Sequence, residues 1–249
     1  MSPVAAGSLG VALLLLAWEL AARLLWRDPA TLPSPSQSVQ IAFALIGAGE
    51  MAAHVAVSLW RILAGFALAA AVGVTLGIAC GRFRFAERIL RPLIEALRPI
   101  PPLAWIPIAI VWFGLGEGSK IFVIFLGAVF PVWTAAWRGT LLVPPVLIAA
   151  ARSMDLRGPA LLWRVVLPAA LPDIAVGLRV GFGLSFGVLV AAELIAAERG
   201  MGHLVMESRQ LGQLGVAIFA IILIGLVSLL ADQLLAGLIR RTVGRWRPV

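Results

Sequence analysis

Six long apolar stretches, set apart by shorter charged segments, decide what this chain can become. They cover residues 9–26, 55–81, 93–113, 121–136, 171–192 and 214–238. A helix needs about 20 mostly apolar residues to cross the hydrocarbon core of a bilayer. The spacing therefore predicts an all-α, polytopic membrane protein: six transmembrane helices forming one domain over residues 1–249. Composition agrees, with 61% hydrophobic and 13% charged residues and a mean hydropathy of +1.03. Soluble domains are about 45–50% apolar and about 25% charged. A secreted domain, a disordered chain and an ordinary cytosolic enzyme are excluded. Nine Trp with no Tyr suit rings anchored near headgroups.

Two stretches need comment. The third contains Pro99, Pro101, Pro102 and Pro107, so a kinked or broken span is expected there, its freed carbonyls satisfied by neighbouring helices. The first is read as a retained span and not a signal peptide. No basic n-region precedes it, and Arg23 and Arg27 follow without a small-residue cleavage site.

The chain carries 20 Lys and Arg against 12 Asp and Glu, a formal charge of +8. With the N-terminus inside, six spans put residues 82–98, residues 137–179 and the C-terminal tail, with Arg240, Arg241, Arg245 and Arg247, on the same side. These segments hold most of the basic residues, and a Lys/Arg excess marks cytoplasmic loops. Both termini are expected on the cytoplasmic side of the membrane. The basicity reads as topology, not as nucleic-acid binding, and membrane lipid is an expected partner of the spans.

Catalytic constellations are scarce. Cys80 is the single cysteine, and His54 and His203, the only histidines, lie far apart near predicted external ends. No metal site, cofactor site or catalytic residue is expected, and the chain is not expected to be an enzyme. Residues Gly114 to Lys120 superficially resemble a phosphate loop but lack its Gly-Lys-Ser/Thr ending. They read as a turn between spans, so this chain does not hydrolyse ATP itself. Ionisable groups at membrane depth are default functional candidates: Arg61, Glu95, Arg98, Arg179 and Glu193. Of these, Arg61, Arg98, Arg179 and Glu193 are candidates for lining a translocation path, where arginines would suit an anion. The alternative is that each is paired or snorkels to the interface. Ala69, Gly73, Gly77 and Gly81 fall on one helix face. They permit close helix approach, either within one chain or in a homodimer. Gly177/Gly181 and Gly183/Gly187 repeat the spacing.

The informative segment is the long basic loop, residues 143–168. After Val143-Pro144-Pro145 a short helical run extends to Met154. Asp155-Leu156-Arg157-Gly158-Pro159 forces a turn, and a second short helix over 160–167 is expected to close at Pro168 and Pro172. Such a knob suits a groove on a cytoplasmic partner, or lies on headgroups as an interfacial helix.

The residues Ala149-Ala150-Ala151-Arg152-Ser153-Met154-Asp155, followed by Arg164-Val165-Val166-Leu167-Pro168, resemble the EAA loop of permeases of bacterial ABC importers. Leu32-Pro33-Ser34-Pro35, Ser58-Leu59-Trp60-Arg61, Leu97-Arg98-Pro99-Ile100-Pro101-Pro102 and Ile106-Pro107 through Gly114 are similar to the nitrate/sulfonate/taurine type. The resemblance covers nearly the whole chain. It implies a type I importer permease fold in a bacterial inner membrane and a cytoplasmic coupling helix. It also implies a second permease copy, an ABC ATPase that uses ATP and magnesium, and an extracytoplasmic substrate-binding protein. The coupling contact is expected over Ala149, Ala150, Ala151, Arg152, Ser153, Met154, Asp155, Leu156, Gly158, Leu167 and Pro168, with Arg152, Met154 and Leu156 nearest the ATPase cleft. Two departures stand out: Ala149 replaces the family's acidic residue and Asp155 its glycine. The implied cargo is a small solute of the sulfonate, taurine, nitrate or bicarbonate class. A thiamine-precursor pyrimidine or other small organic molecule is the alternative, and an autonomous secondary transporter a more distant one.

Overall fold

A computed structural model of the chain describes residues 3–26, 32–47 and 50–243. Arg27, Arg245 and Arg247, counted above in the charge pattern, lie outside them. Every element among the described residues is helical. In chain order these are α1 (Pro3–Ala21), continued by a π turn over Ala22–Trp26, then α2 (Pro35–Gly47), α3 (Glu50–Arg82) and α4 (Arg84–Leu97). A 3-10 turn, Pro102–Trp105, leads into α5 (Ile106–Phe113), followed by α6 (Glu117–Leu141), α7 (Pro145–Ser153), α8 (Gly158–Leu161), α9 (Leu167–Ala196), α10 (Met201–Gln210) and α11 (Leu214–Val243).

Among the described residues four helical stretches are long and apolar enough to cross a membrane: Met51–Arg82, Glu117–Leu141, Gly158–Ala196 and Leu214–Thr242. Arg84–Leu97 and Pro102–Phe113, bent by 88° to each other, make a fifth only if the bent pair counts as one span. The break expected from the prolines is thus present. Pro99, Pro101 and Pro102 cannot donate to a helical ladder, and each disfavours helical geometry in the residue before it.

The residues fall into two compact units. One draws on Met1–Ser58 and Glu193–Val227. Here Ser34 caps α2: its hydroxyl accepts the amide of Gln37 at 3.3 Å, and Gln37 Oε1 accepts the amide of Ser34 at 3.0 Å. That reciprocal arrangement is a capping box, with Pro35 at the first helical position. Glu19 of α1 accepts the Ser36 amide at 3.1 Å and its hydroxyl at 2.8 Å, which ties α1 to the start of α2.

The other unit comprises Leu59–Ala192 and Ser228–Val249. Its centre is α6, in which Val123, Ile124, Ala128, Val132, Trp133 and Ala136 are buried. The glycine face of α3 packs on it. A Cβ at Gly65 would meet Ile124, at Gly73 Val132, at Gly77 Ala136 and at Gly81 Thr140, all at 3.0 Å or less. Both sequences rise together, so α3 and α6 run parallel. The small residues therefore serve packing within the chain, the first of the two alternatives. On a neighbouring face of α6 Gly139 faces Asp173, Gly177 faces Ala135 and Gly181 faces Ala128, so α9 runs antiparallel to α6. Gly183 and Gly187 meet nothing within 4 Å.

Parallel α3 and α6 carry a topological consequence. If both cross a bilayer, the chain between Arg82 and Glu117 must return across it. The ends of α3 and α6, the loop after α6 and the start of Gly158–Ala196 then share one side.

Candidate functional site

The loop following α6 is built on its own small core. Val143, Ala151, Leu161 and Val166 are buried together with Ala136, Ala170 and Ile174, and Val74 and Ile78 of α3 pack against them. α7 begins at Pro145, whose fixed φ suits the first helical turn, and ends in a closed motif. The amide of Asp155 donates to the carbonyl of Arg152 at 3.0 Å, and that of Leu156 to Ala151 at 3.0 Å. Asp155 has φ +61°. This is a Schellman cap with Asp155 in the left-handed position usually held by glycine, and its apolar contact joins Leu156 to the core containing Ala151. The bend thus sits at Asp155 itself, with Gly158 (φ +54°) adding a second left-handed residue. Among non-glycine residues Asp is one of the few that visits this conformation readily.

The second short helix expected over 160–167 is not a separate element. α8, a π turn at Leu162–Val166 and α9 form one stretch, Gly158–Ala196, that runs through Pro168 and Pro172. A proline removes one amide and crowds the carbonyl four residues earlier. Here the ladder shifts to a π pattern, with the Leu167 amide donating to Leu162, and the widened turn accommodates Pro168. The loop is one capped helix and one bend feeding directly into a span.

The expected contact residues divide by exposure. Ala149, Ala150, Arg152, Ser153, Asp155 and Gly158 are exposed, and Met154 is 69% exposed. Ala151 is buried, while Leu156, Leu167 and Pro168 are half-buried; Leu156 and Leu167 lie against the loop's core. Leu156 is thus packed partly against the loop's own core, while Arg152 and Met154 are exposed. Val146, Leu147 and Trp163 are exposed apolar residues on the same loop that sequence reasoning passed over. Only the fold shows that Ala151 of α7 faces inward while Val146 and Leu147 face out. Ser153 spends its hydroxyl on the Ala150 carbonyl at 2.8 Å.

The path candidates arrive with partners. Arg61, 2% exposed, donates Nε and a terminal nitrogen to the two carboxylate oxygens of Glu117, each at 2.6 Å. Lys120 donates to the carbonyls of Leu115 at 3.0 Å and Gly116 at 3.3 Å, so the glycine-rich turn is organised by its own lysine. Arg179 of α9 makes a two-pronged pair with Asp232 of α11 at 3.0 and 2.7 Å. Neither Glu117 nor Asp232 was singled out in the sequence, since pairing across the fold leaves no local signal. Arg98 is exposed at the end of α4, and Glu95 is bonded to Arg91 at 2.8 Å. Bidentate pairing neutralises Arg61 and Arg179 locally, so neither stands as an isolated cation awaiting an anion.

Glu193 is 1% exposed. It accepts the Ser58 hydroxyl at 2.8 and 3.0 Å and the Gly202 amide at 2.8 Å. Ser58 in turn accepts the Met201 amide at 2.8 Å. Gly200, with φ +133°, leaves no room for a Cβ beside the carboxylate. A buried carboxylate held this way anchors the start of α10. His54 and His203, expected far apart, have stacked rings with centroids 6.3 Å apart. Their separation in the sequence hid this, because α10 folds back beside α3. Among the described residues no group of three or more His, Cys, Asp or Glu is arranged to hold a metal.

Known proteins share this architecture. Residues 73–244 match the family model described as binding-protein-dependent transport system inner membrane component. A chain of Escherichia coli named as an aliphatic sulfonates transport permease protein is 40% identical over 231 residues, covering 93% of this chain and 88% of that one. The taurine transport system permease protein of Escherichia coli is 40% identical over 236 residues, covering 93% and 86%. Among solved structures, an inward-facing methionine ABC transporter superposes with a TM-score of 0.57 at 21% identity, covering 72% of this chain and 92% of that one.

Proposed function

This chain belongs to the family of binding-protein-dependent transport system inner membrane components, the permease subunits of ABC importers, and from that premise we propose how its parts work. It is a multi-pass membrane permease and not an enzyme; its six expected spans form a single domain with both termini in the cytoplasm. Two copies pair around a translocation path. A binding protein delivers cargo from outside, and ABC ATPase subunits, using ATP and magnesium, dock inside on the loop 143–168.

The observation that carries this reading is the construction of that loop. A capped helix on a buried core leaves Val146, Leu147, Met154 and Arg152 exposed, and a single short bend joins it to the stretch Gly158–Ala196. A rigid lever needs both properties: an exposed apolar end to seat in a partner and a stiff connection to the membrane. ATP binding closes the ATPases and the loop moves with them. The helices then switch between inward- and outward-open packings as rigid bodies. No bond is made or broken in this chain.

The cargo proposed is a small sulfonate-type anion, by likeness to relatives named for aliphatic sulfonates and taurine. Arg61 and Arg179 are not its binding groups, because each already faces a carboxylate. Co-purification tests the assembly: the tagged chain should retain its ATPase, and Met154→Glu should release it while the permease stays in the membrane. Equal retention by the variant would refute docking at this loop.

A further inference from the structure

We propose that α4 is an in-plane helix that binds anionic phospholipid headgroups at the membrane surface. This goes beyond the transport reading and does not depend on it.

The sequence of α4 divides cleanly around its axis. Arg84, Glu87, Arg88, Arg91 and Glu95 share one side, while Phe85, Ile89, Leu93 and Leu97 occupy another. No residue of α4 is buried. Leu90 and Ile94 pack on the cluster of Cys80, Trp133 and Trp137, and the Arg91 guanidinium lies 4.9 Å from the Trp137 ring centroid. One flank is therefore fixed to the unit's own helices. The remaining apolar flank is open, with Phe85 78% exposed and Ile89 and Leu93 exposed beside it.

Geometry says what covers that flank. Because α3 and α6 run parallel, the segment between them has to recross the bilayer, and of its two helical arms Pro102–Phe113 is the uncharged, apolar one, whereas α4 carries five charged residues. α4 stands at 88° to that stretch. A helix perpendicular to a crossing segment lies in the plane of the membrane, with its apolar flank against acyl chains and its polar side toward headgroups. The charge is complementary to an anionic surface. Arg91 is engaged by Glu95 and Glu87, but Arg84 and Arg88 make no ion pair among the described residues, and both are exposed. Their long stems allow the guanidinium groups to reach phosphate oxygens from the interface.

The test uses the full chain in bilayer nanodiscs of phosphatidylcholine, alone or mixed with phosphatidylglycerol. Spin labels at F85C, L93C or R88C, in a C80S background, report depth through their accessibility to oxygen and to a water-soluble nickel chelate. Labels at 85 and 93 should favour oxygen and the label at 88 the chelate. Spin-labelled phosphatidylglycerol should associate with the chain in preference to spin-labelled phosphatidylcholine. R84Q/R88Q should cut that preference at least threefold, below the roughly fivefold per arginine expected at a surface because Glu87 and Glu95 lie nearby. Inorganic phosphate at matched concentration should not compete. Nickel access at 85 and 93, or spin–spin broadening there from a second copy of the chain, would overturn the proposal. So would an unchanged lipid preference in R84Q/R88Q, or displacement of the lipid by free phosphate.

Discussion

The amide of Leu156 reaches back to the carbonyl of Ala151 at 3.0 Å, closing the last turn of α7 while both residues join one apolar core. That bond fixes the angle at which the helix leaves the loop, and it requires a left-handed residue between them at Asp155.

Asp155→Val should therefore be harmful out of proportion to its exposure. A β-branched residue at positive φ is strained, by about 1–2 kcal/mol. The expected result is a lower apparent melting temperature for the solubilised chain and weaker transport. Asp155→Gly, which meets the backbone requirement directly, should leave both unchanged or slightly improved.

The α3–α6 contact predicts a position-specific response to added volume. A side chain at Gly77 would press on the Ala136 Cβ and the Trp133 carbonyl, at 2.6 and 2.8 Å from its own Cβ. Gly77→Leu should cost about 1–3 kcal/mol through overpacking, visible as reduced thermal stability or folded yield. Gly187→Ala, which meets nothing within 4 Å, should be neutral in the same assay.

The hydroxyl of Ser58 links the Met201 amide to the Glu193 carboxylate. Ser58→Ala strands a buried donor and weakens a buried acceptor, at a cost of about 1–3 kcal/mol. Ser58→Thr should preserve most of the stability. Gly200→Ala should be worse than Ser58→Ala, since it adds both a strained φ and a clash with the carboxylate. Ranking the three variants by apparent melting temperature checks the arrangement.

Arg179 and Asp232 should behave as a pair and not as a substrate-binding cation. Either Arg179→Ala or Asp232→Ala leaves one charge at membrane depth without its partner and should reduce transport. Exchange of the two (Arg179→Asp with Asp232→Arg) should restore part of it, with cargo preference unaltered. A shift in cargo preference in Arg179→Ala would give the arginine a direct role in the path.

Much of this was legible from residue types alone. The two prolines before Val146 mark the start of α7, and the Pro99–Pro102 cluster marks the broken span, because a missing amide acts locally. Long-range choices left no such trace. The partners of Arg61 and Arg179 come from other helices, and His54 meets His203 only once α10 folds back. Pro168 and Pro172 looked like stops, yet a π turn over Leu162–Val166 carries the ladder past Pro168, and α9 runs on through Pro172. That Leu156 packs partly against the loop's core was not legible either, since it follows from the Schellman cap at Asp155.

The most direct test of the coupling loop is binding-protein-stimulated ATP hydrolysis by the reconstituted complex carrying Met154→Glu. This residue is exposed at the end of α7 and outside the loop's core, so the change tests docking and not folding. Loss of stimulation, with the permease still inserted and its melting temperature unchanged, is the result predicted. Full stimulation in the variant would contradict docking of the ATPase at this loop.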